Sequence, residues 1–257
     1  MRKLNTSFSN KNKEIQVIYG IHSVLAALKN ENRRHIEIAI LEKYQKLISK
    51  YKNKIENIKI CTHQDLSKIY GSESVTQGIV LKTSPLKKVS FEKFIETEES
   101  KNKSIILALD QVTDPQNIGS IMRSCSLFNC NALIVSKDNS PELTSSMVKT
   151  ASGAAEIVNY IKVVNLKRSL SVLKKNSYWI YGFDSASKKI KKEINFSNKS
   201  VLVFGSEGKG IRDQVKKECD EIFKIKSKPN LKYEIDSLNV SNATAIALYE
   251  YHKKFGD

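Results

Sequence analysis

Residues 105–123 read IILALDQVTDPQNIGSIMR. Ile105 to Leu109 are all apolar with no polar alternation, the pattern of a strand covered on both faces. The run stops at Asp110. Asp114-Pro115 then takes the chain out of regular structure, because a residue before proline avoids the helical region. Asn117 stands where a helix N-cap is expected, ahead of Ile118, Ile121 and Met122 at helical spacing. Gly119 lets something approach the backbone between Asn117 and Arg123. A strand ending in an irregular turn, with a helix opening onto it, is where open α/β sheets hold their ligands.

Downstream the alternation continues to the C-terminus. Strands are expected at 132–135, 157–161, 179–183, 201–204 and 222–225. Helices are expected at 117–128, 144–152, 166–175, 210–218 and 240–254. Strands alternating with helices give an α/β domain with a largely parallel sheet, here residues 105–257. Upstream, residues 15–86 form a smaller α/β unit. Val24, Leu25 and Leu28 make one helical stripe, HIEIAIL (35–41) alternates as a strand, and helices at 43–51 and 64–70 flank a strand at 58–61. Gln77 to Leu81 closes the unit as a strand. The charged stretch SPLKKVSFEKFIETEESKNK (84–103) separates the two, and a linker is expected over 87–104. Residues 1–14 read as a disordered basic tail.

The chain has 257 residues and a formal net charge of +16, from 43 Lys and Arg against 27 Asp and Glu. Such a surface attracts polyanions through counterion release, and nucleic acid is the commonest of these. Lys supplies most of the excess, so a Lys-rich composition would produce the same number, and charge alone does not decide. Cys61, Cys125, Cys130 and Cys219 show no CxxC pairing, and the four histidines are scattered. Neither a zinc site nor a disulfide framework is expected, and a reducing cytoplasm fits. No apolar run is long enough to cross a bilayer, so no membrane anchor is expected.

Two further stretches carry chemistry. VLVFGSEGKG (201–210) is a buried strand running into Gly205, Gly208 and Gly210, a loop suited to close backbone approach by a ligand. Ile211 and Arg212 follow, so it is not the phosphate-cradling GxxxxGK[ST] loop, and its glycine register is not GxGxxG. Plain turn geometry would explain the glycines, but not Glu207 in their midst. Near the C-terminus, DSLNVSNA (236–243) combines small polar residues with a helix start, and capping alone would account for Ser237 and Asn239.

Taken together, NIGSIMR, GSEGKG and SLNVSNA resemble, in order and spacing, the three signature motifs of the SpoU family. These are RNA ribose 2′-O-methyltransferases of the knotted (SPOUT-type) α/β class. IYGIHSVLAAL and TQGIVL resemble the ends of that family's small N-terminal RNA-binding domain, itself like ribosomal protein L30e. The domain is typical of members acting on large-subunit RNA, and the resemblance is strongest to the group that methylates guanosine in 23S ribosomal RNA. The resemblance implies a trefoil knot, S-adenosylmethionine as cofactor, ribosomal RNA as partner, and a cytoplasmic homodimer joined through the catalytic domain. The last helix, with Ile246, Leu248 and Tyr249, is compatible with such a contact.

Position by position, the resemblance gives Asn117 and Arg123 as the ends of the first motif. Glu207 is the acid of the second, and Ser237 and Asn239 are the polar pair of the third. Gly205, Ile225 and Leu238 match cofactor-holding positions. There are two departures: Thr76 stands where the exit motif usually begins with His, and the link over 226–236 is longer than usual. In physical terms, methyl transfer to a hydroxyl is an in-line displacement that needs alignment and removal of one proton. Arg123, planar and permanently charged, suits a phosphate better than it suits proton abstraction. Rival readings are the same chemistry on transfer RNA, a non-catalytic RNA-binding or ribosome-assembly factor of the same fold, and a dehydrogenase. Retention of Arg123, Glu207 and Asn239 argues against the non-catalytic factor. The absence of a glycine fingerprint after the first strand of either domain argues against the dehydrogenase.

Overall fold

A computed structural model describes residues 15–70, 76–189, 194–227 and 237–256. The tail 1–14 and most of the 226–236 link lie outside the described residues. The chain divides into two compact units between Lys87 and Lys88.

The first unit runs β1 (Gln16–Tyr19), α1 (Ile21–Lys29), β2 (His35–Ile40), α2 (Gln45–Ile48), β3 (Ile55–Ile60), α3 (His63–Tyr70) and β4 (Ile79–Thr83). Its sheet order is β1-β4-β2-β3, with β2 and β3 parallel and β4 antiparallel to both of its neighbours. β1 has only four residues, too few for a period of two to stand out in the sequence. The helix expected at 43–51 is instead a short α-helical turn between two 3-10 stretches, with only Ile48 and Tyr51 buried to hold it. The two ends of the unit form one feature. Gly20 has no side chain with which to cap α1, and Gln77 Oε1 takes that role by accepting from Ile21 N at 3.0 Å. Thr76 Oγ1 accepts from Gly78 N at 3.2 Å and so helps to close the turn into β4.

The second unit begins inside the stretch expected to be a linker. Helix α4 (Phe91–Glu98) is capped by Ser90, whose side chain accepts from Lys93 N. Phe94 is 1% exposed and belongs to the core, with Val89, Phe91 and Ile95 packed against it. Phe91, Phe94 and Ile95 have helical spacing, and the charged residues between them hid the helix. Then come β5 (Ser104–Asp110), α5 (Pro115–Leu127), β6 (Ala132–Ser136), α6 (Ser145–Ala151), β7 (Asn159–Val163) and α7 (Leu166–Lys175). The unit ends with β8 (Trp179–Phe183), β9 (Lys199–Gly205), α8 (Asp213–Lys216), β10 (Glu221–Phe223) and α9 (Val240–Phe255).

The six strands are ordered β10-β8-β9-β5-β6-β7, and every pairing is parallel. All seven residues of β5 are buried, as a strand flanked on both edges and covered on both faces must be. The chain leaves β5 towards β6 and leaves β9 towards β10, so their carboxyl ends form a topological switch point. There Asp110 is in register with Gly205.

Three local expectations change. The N-cap of α5 is Asp114, which accepts from the Gln116 and Asn117 amides, with Pro115 as the first helical residue. The element that approaches Gly119 is α6: a Cβ there would lie 2.7 Å from Met147 O. β10 stops at Phe223, whose carbonyl accepts from Asp184 N at 2.9 Å, so Ile225 lies beyond the strand.

Candidate active site

Three segments meet at the switch point: the loop after β9, the first turn of α5, and the start of α9. Glu207 Oε1 accepts from Asn239 Nδ2 at 2.7 Å, from Asn117 Nδ2 at 3.3 Å and from Val240 N at 3.4 Å. Asn239 Nδ2 also donates to Asn117 Oδ1 at 3.0 Å, while Asn239 Oδ1 accepts from Ser241 N at 2.9 Å as the cap of α9. With Asp114 serving as the cap of α5, the side chain of Asn117 is released for this network. A carboxylate at the first turn of α9 is favoured there, because the helix presents unpaired amides and a positive dipole end.

Beside this network lies a cleft. Phe183, Phe204, Ile225, Leu238, Val240 and Ala243 give it apolar walls, and Asp184, Ser185, Ser206, Glu207 and Ser237 bring polar groups to it. A Cβ on Gly205 would overlap the carbonyl of Gly210, and one on Gly210 would lie 2.7 Å from Asp184 Oδ2. The loop can take this shape only without side chains at those two positions. Gly210 N donates to Ser206 O at 2.9 Å and closes the turn that carries Glu207.

Two buried carboxylates flank this loop, one from each neighbouring strand. On the β8 side Asp184 accepts from Ile211 N at 3.1 Å and pairs with Lys216 Nζ at 2.9 Å. Burial alone would push its carboxyl up, but Lys216 and the amides of Ala186 and Ile211 outweigh burial and hold it below the usual carboxylate range. On the β5 side Asp110 is fully buried. It accepts from Arg212 N and from Arg212 Nε, both at 2.9 Å, and Arg212 Nη2 lies 2.6 Å from its Oδ1.

Of the residues singled out from sequence, Asn117, Glu207 and Asn239 are joined by hydrogen bonds, while Gly205, Glu207, Ile225, Ser237 and Leu238 line the cleft. Arg123 stands apart. It is exposed, about 9 Å along α5 from Asn117 and roughly 240° around its axis. Its carbonyl accepts from Ser126 Oγ at 2.9 Å. Sequence reasoning passed over Asp110, Asp184 and Arg212. The available signal was positional: Asp110 and Asp184 are each the first charged residue after an apolar strand.

The cleft fits S-adenosylmethionine. Its apolar walls suit an adenine and a thioether-like chain, its glycine floor admits close backbone approach, and its carboxylates suit a sulfonium.

Residues 104–249 match the SpoU rRNA Methylase family, and residues 17–89 match a domain described as RNA 2′-O ribose methyltransferase substrate binding. The 23S rRNA (guanosine-2′-O-)-methyltransferase RlmB of Yersinia pestis is 34% identical over 247 residues, covering 94% of this chain and 98% of that protein. RlmB of Escherichia coli K12 is 32% identical, covering 91% and 97%. Among solved structures, the SpoU methyltransferase AviRb of Streptomyces viridochromogenes in complex with AdoMet superposes with a TM-score of 0.76 at 18% identity, covering 96% of this chain and 94% of that one. An RNA 2′-O ribose methyltransferase gives 0.77 at 17% identity, covering 94% and 89%. The chain, with its parallel sheet and its three motifs gathered at one switch point, belongs to the SpoU rRNA methylase family.

Proposed function

We propose that this protein methylates the 2′-hydroxyl of a guanosine in 23S ribosomal RNA. The observation that carries the reading is the Asn117–Glu207–Asn239 network at the mouth of the Gly205 cleft. S-adenosylmethionine, when bound in that cleft, supplies an electrophilic methyl group. The protein's own residues supply alignment. Glu207 fixes the two carboxamides, and Asn117, Ser237 and Asn239 orient the ribose hydroxyl for in-line attack. Arg123, with an exposed guanidinium, clamps an RNA phosphate through a bidentate fork. Gly205, Ile225 and Leu238 hold the cofactor.

The first unit is the substrate-binding domain and takes the L30e-like role expected from sequence. The second is the catalytic domain, in which the chain follows the family's trefoil knot; insertion of β9 between β5 and β8 supports that path. A cytoplasmic homodimer forms through α5 and α9, where Leu127, Ile246 and Tyr249 are exposed apolar residues. Leu248, expected on that face, is fully buried and packs inward instead.

Isothermal titration of the full chain with S-adenosylhomocysteine, the product cofactor, tests the reading. Saturable binding to wild type that weakens in a Leu238→Asp variant is expected. A correctly folded wild type that releases no heat contradicts the assignment.

A further inference from the structure

The loop that carries Glu207 is clamped from both flanks. Consecutive amides, Ile211 N and Arg212 N, donate to buried carboxylates on the two strands beside β9, Asp184 after β8 and Asp110 at the end of β5. The β5 side is the more elaborate. Asp110 uses one oxygen for the Arg212 amide and the other for the Arg212 side chain, so a single carboxylate holds backbone and guanidinium of the same residue. Asp110 is also the last residue of β5, four residues before the cap of α5. The fork therefore ties the loop bearing Glu207 to the strand whose exit presents Asn117.

Asp110 is fully buried, while the Arg212 side chain is 34% exposed. A buried charge pair is usually neutral in stability against apolar side chains of the same size, and registry is the best-attested reason to keep one. The registry at stake here is that of Glu207 with the two asparagines, which sit 2.7 to 3.3 Å from its oxygen. Hydrogen-bond distances of that kind are lost with a loop shift of about 1 Å.

We propose that Asp110 and Arg212 are positioning residues for methyl transfer, acting through Glu207. This rests on the methyltransferase reading above. Neither Asp110 nor Arg212 lines the cleft beside Glu207. The fork sets the place of the Glu207 carboxylate and, through it, the orientation of Asn117 and Asn239.

The test is a double-mutant cycle of single-turnover methylation, with saturating RNA and S-adenosylmethionine, on full-length protein. Arg212→Lys keeps the charge and the backbone bond but loses the planar fork. Arg212→Gln is a second variant, and rates are taken per molecule competent to bind S-adenosylhomocysteine. Turnover is expected to fall about ten- to a hundred-fold in each, the scale of a misplaced catalytic group. In a Glu207→Ala background the same changes are expected to cost less than about two-fold, because the acceptor that the fork positions is already gone. Turnover of both variants near wild type, or an equal loss in both backgrounds, overturns the positioning role alone. A wild type that methylates no RNA overturns the functional reading, and the proposal with it.

Discussion

A methyl group added at Gly205 would run into the carbonyl of Gly210, which is backbone and cannot swing aside. Gly208 differs: its φ is +81°, but a Cβ there meets nothing within 4 Å. Gly205→Ala is accordingly expected to weaken S-adenosylhomocysteine binding at least ten-fold. Gly208→Ala is expected to cost about 1–2 kcal/mol of backbone strain with little change in binding. Equal affinities for the two variants would contradict the close-approach reading. Asp184 makes a pH-dependent prediction. Its folded value is depressed, so its contribution is present above the unfolded value of about 3.9 and is lost as pH falls through the folded value. The melting-temperature gap between wild type and Asp184→Asn should therefore shrink from pH 6 towards pH 3. A constant gap would show that the carboxylate is not held by Lys216 and the loop amides. Among single residues, Asn117, Glu207 and Asn239 stood out through the resemblance of their three motifs to the SpoU family, since capping alone would explain an asparagine at a helix start. The sequence hid Asp110 and Asp184, because a carboxylate at the end of an apolar run looks like a mere terminator.

Among the elements, α4 separates pattern from packing. Its charged residues suggested a connector, yet Phe94 is buried among β5, β6 and β7 residues including Ile106, Ile134 and Ile161. Phe94→Ala is expected to lower the stability of the second unit by about 3–5 kcal/mol, the cost of removing a buried aromatic ring. Chemical denaturation would measure it. A loss below about 1 kcal/mol would return 87–104 to the status of a linker. The long strands were legible because IILAL and VLVF are short, β-branched-rich apolar runs bounded by turn residues. β1 was not, since four residues give no period to read, whereas α8 falls inside the helix expected at 210–218 and keeps only its middle turn. Asn117 was placed in the right turn but in the wrong role: Asp114 lies three residues earlier, its carboxylate accepts from the Gln116 and Asn117 amides, and the helix already begins at Pro115.

For the whole molecule, periodicity predicted strands and helices but not the order in which strands lie. That β9 inserts between β5 and β8 depends on long-range contacts that no local pattern encodes. The same insertion brings the Glu207 loop beside the α5 turn, so the site could be assembled before the structure only by resemblance to a family. The net charge of +16 becomes informative once a polyanionic substrate is in view. Deleting residues 1–87 is expected to leave S-adenosylhomocysteine binding intact while RNA affinity falls and its dependence on salt becomes shallower, because phosphate contacts are lost. Unchanged affinity would place recognition in the second unit alone.

The most direct test of the central claim is mass-spectrometric mapping of large-subunit ribosomal RNA lacking its native modifications. The RNA is incubated with purified protein and S-adenosylmethionine carrying a deuterated methyl group. Label is expected on the ribose 2′-oxygen of a guanosine in 23S RNA, abolished when Glu207 is replaced by Gln and Asn117 by Ala together. Label on a base, label only when transfer RNA is supplied, or no label with protein that binds S-adenosylhomocysteine would contradict that claim.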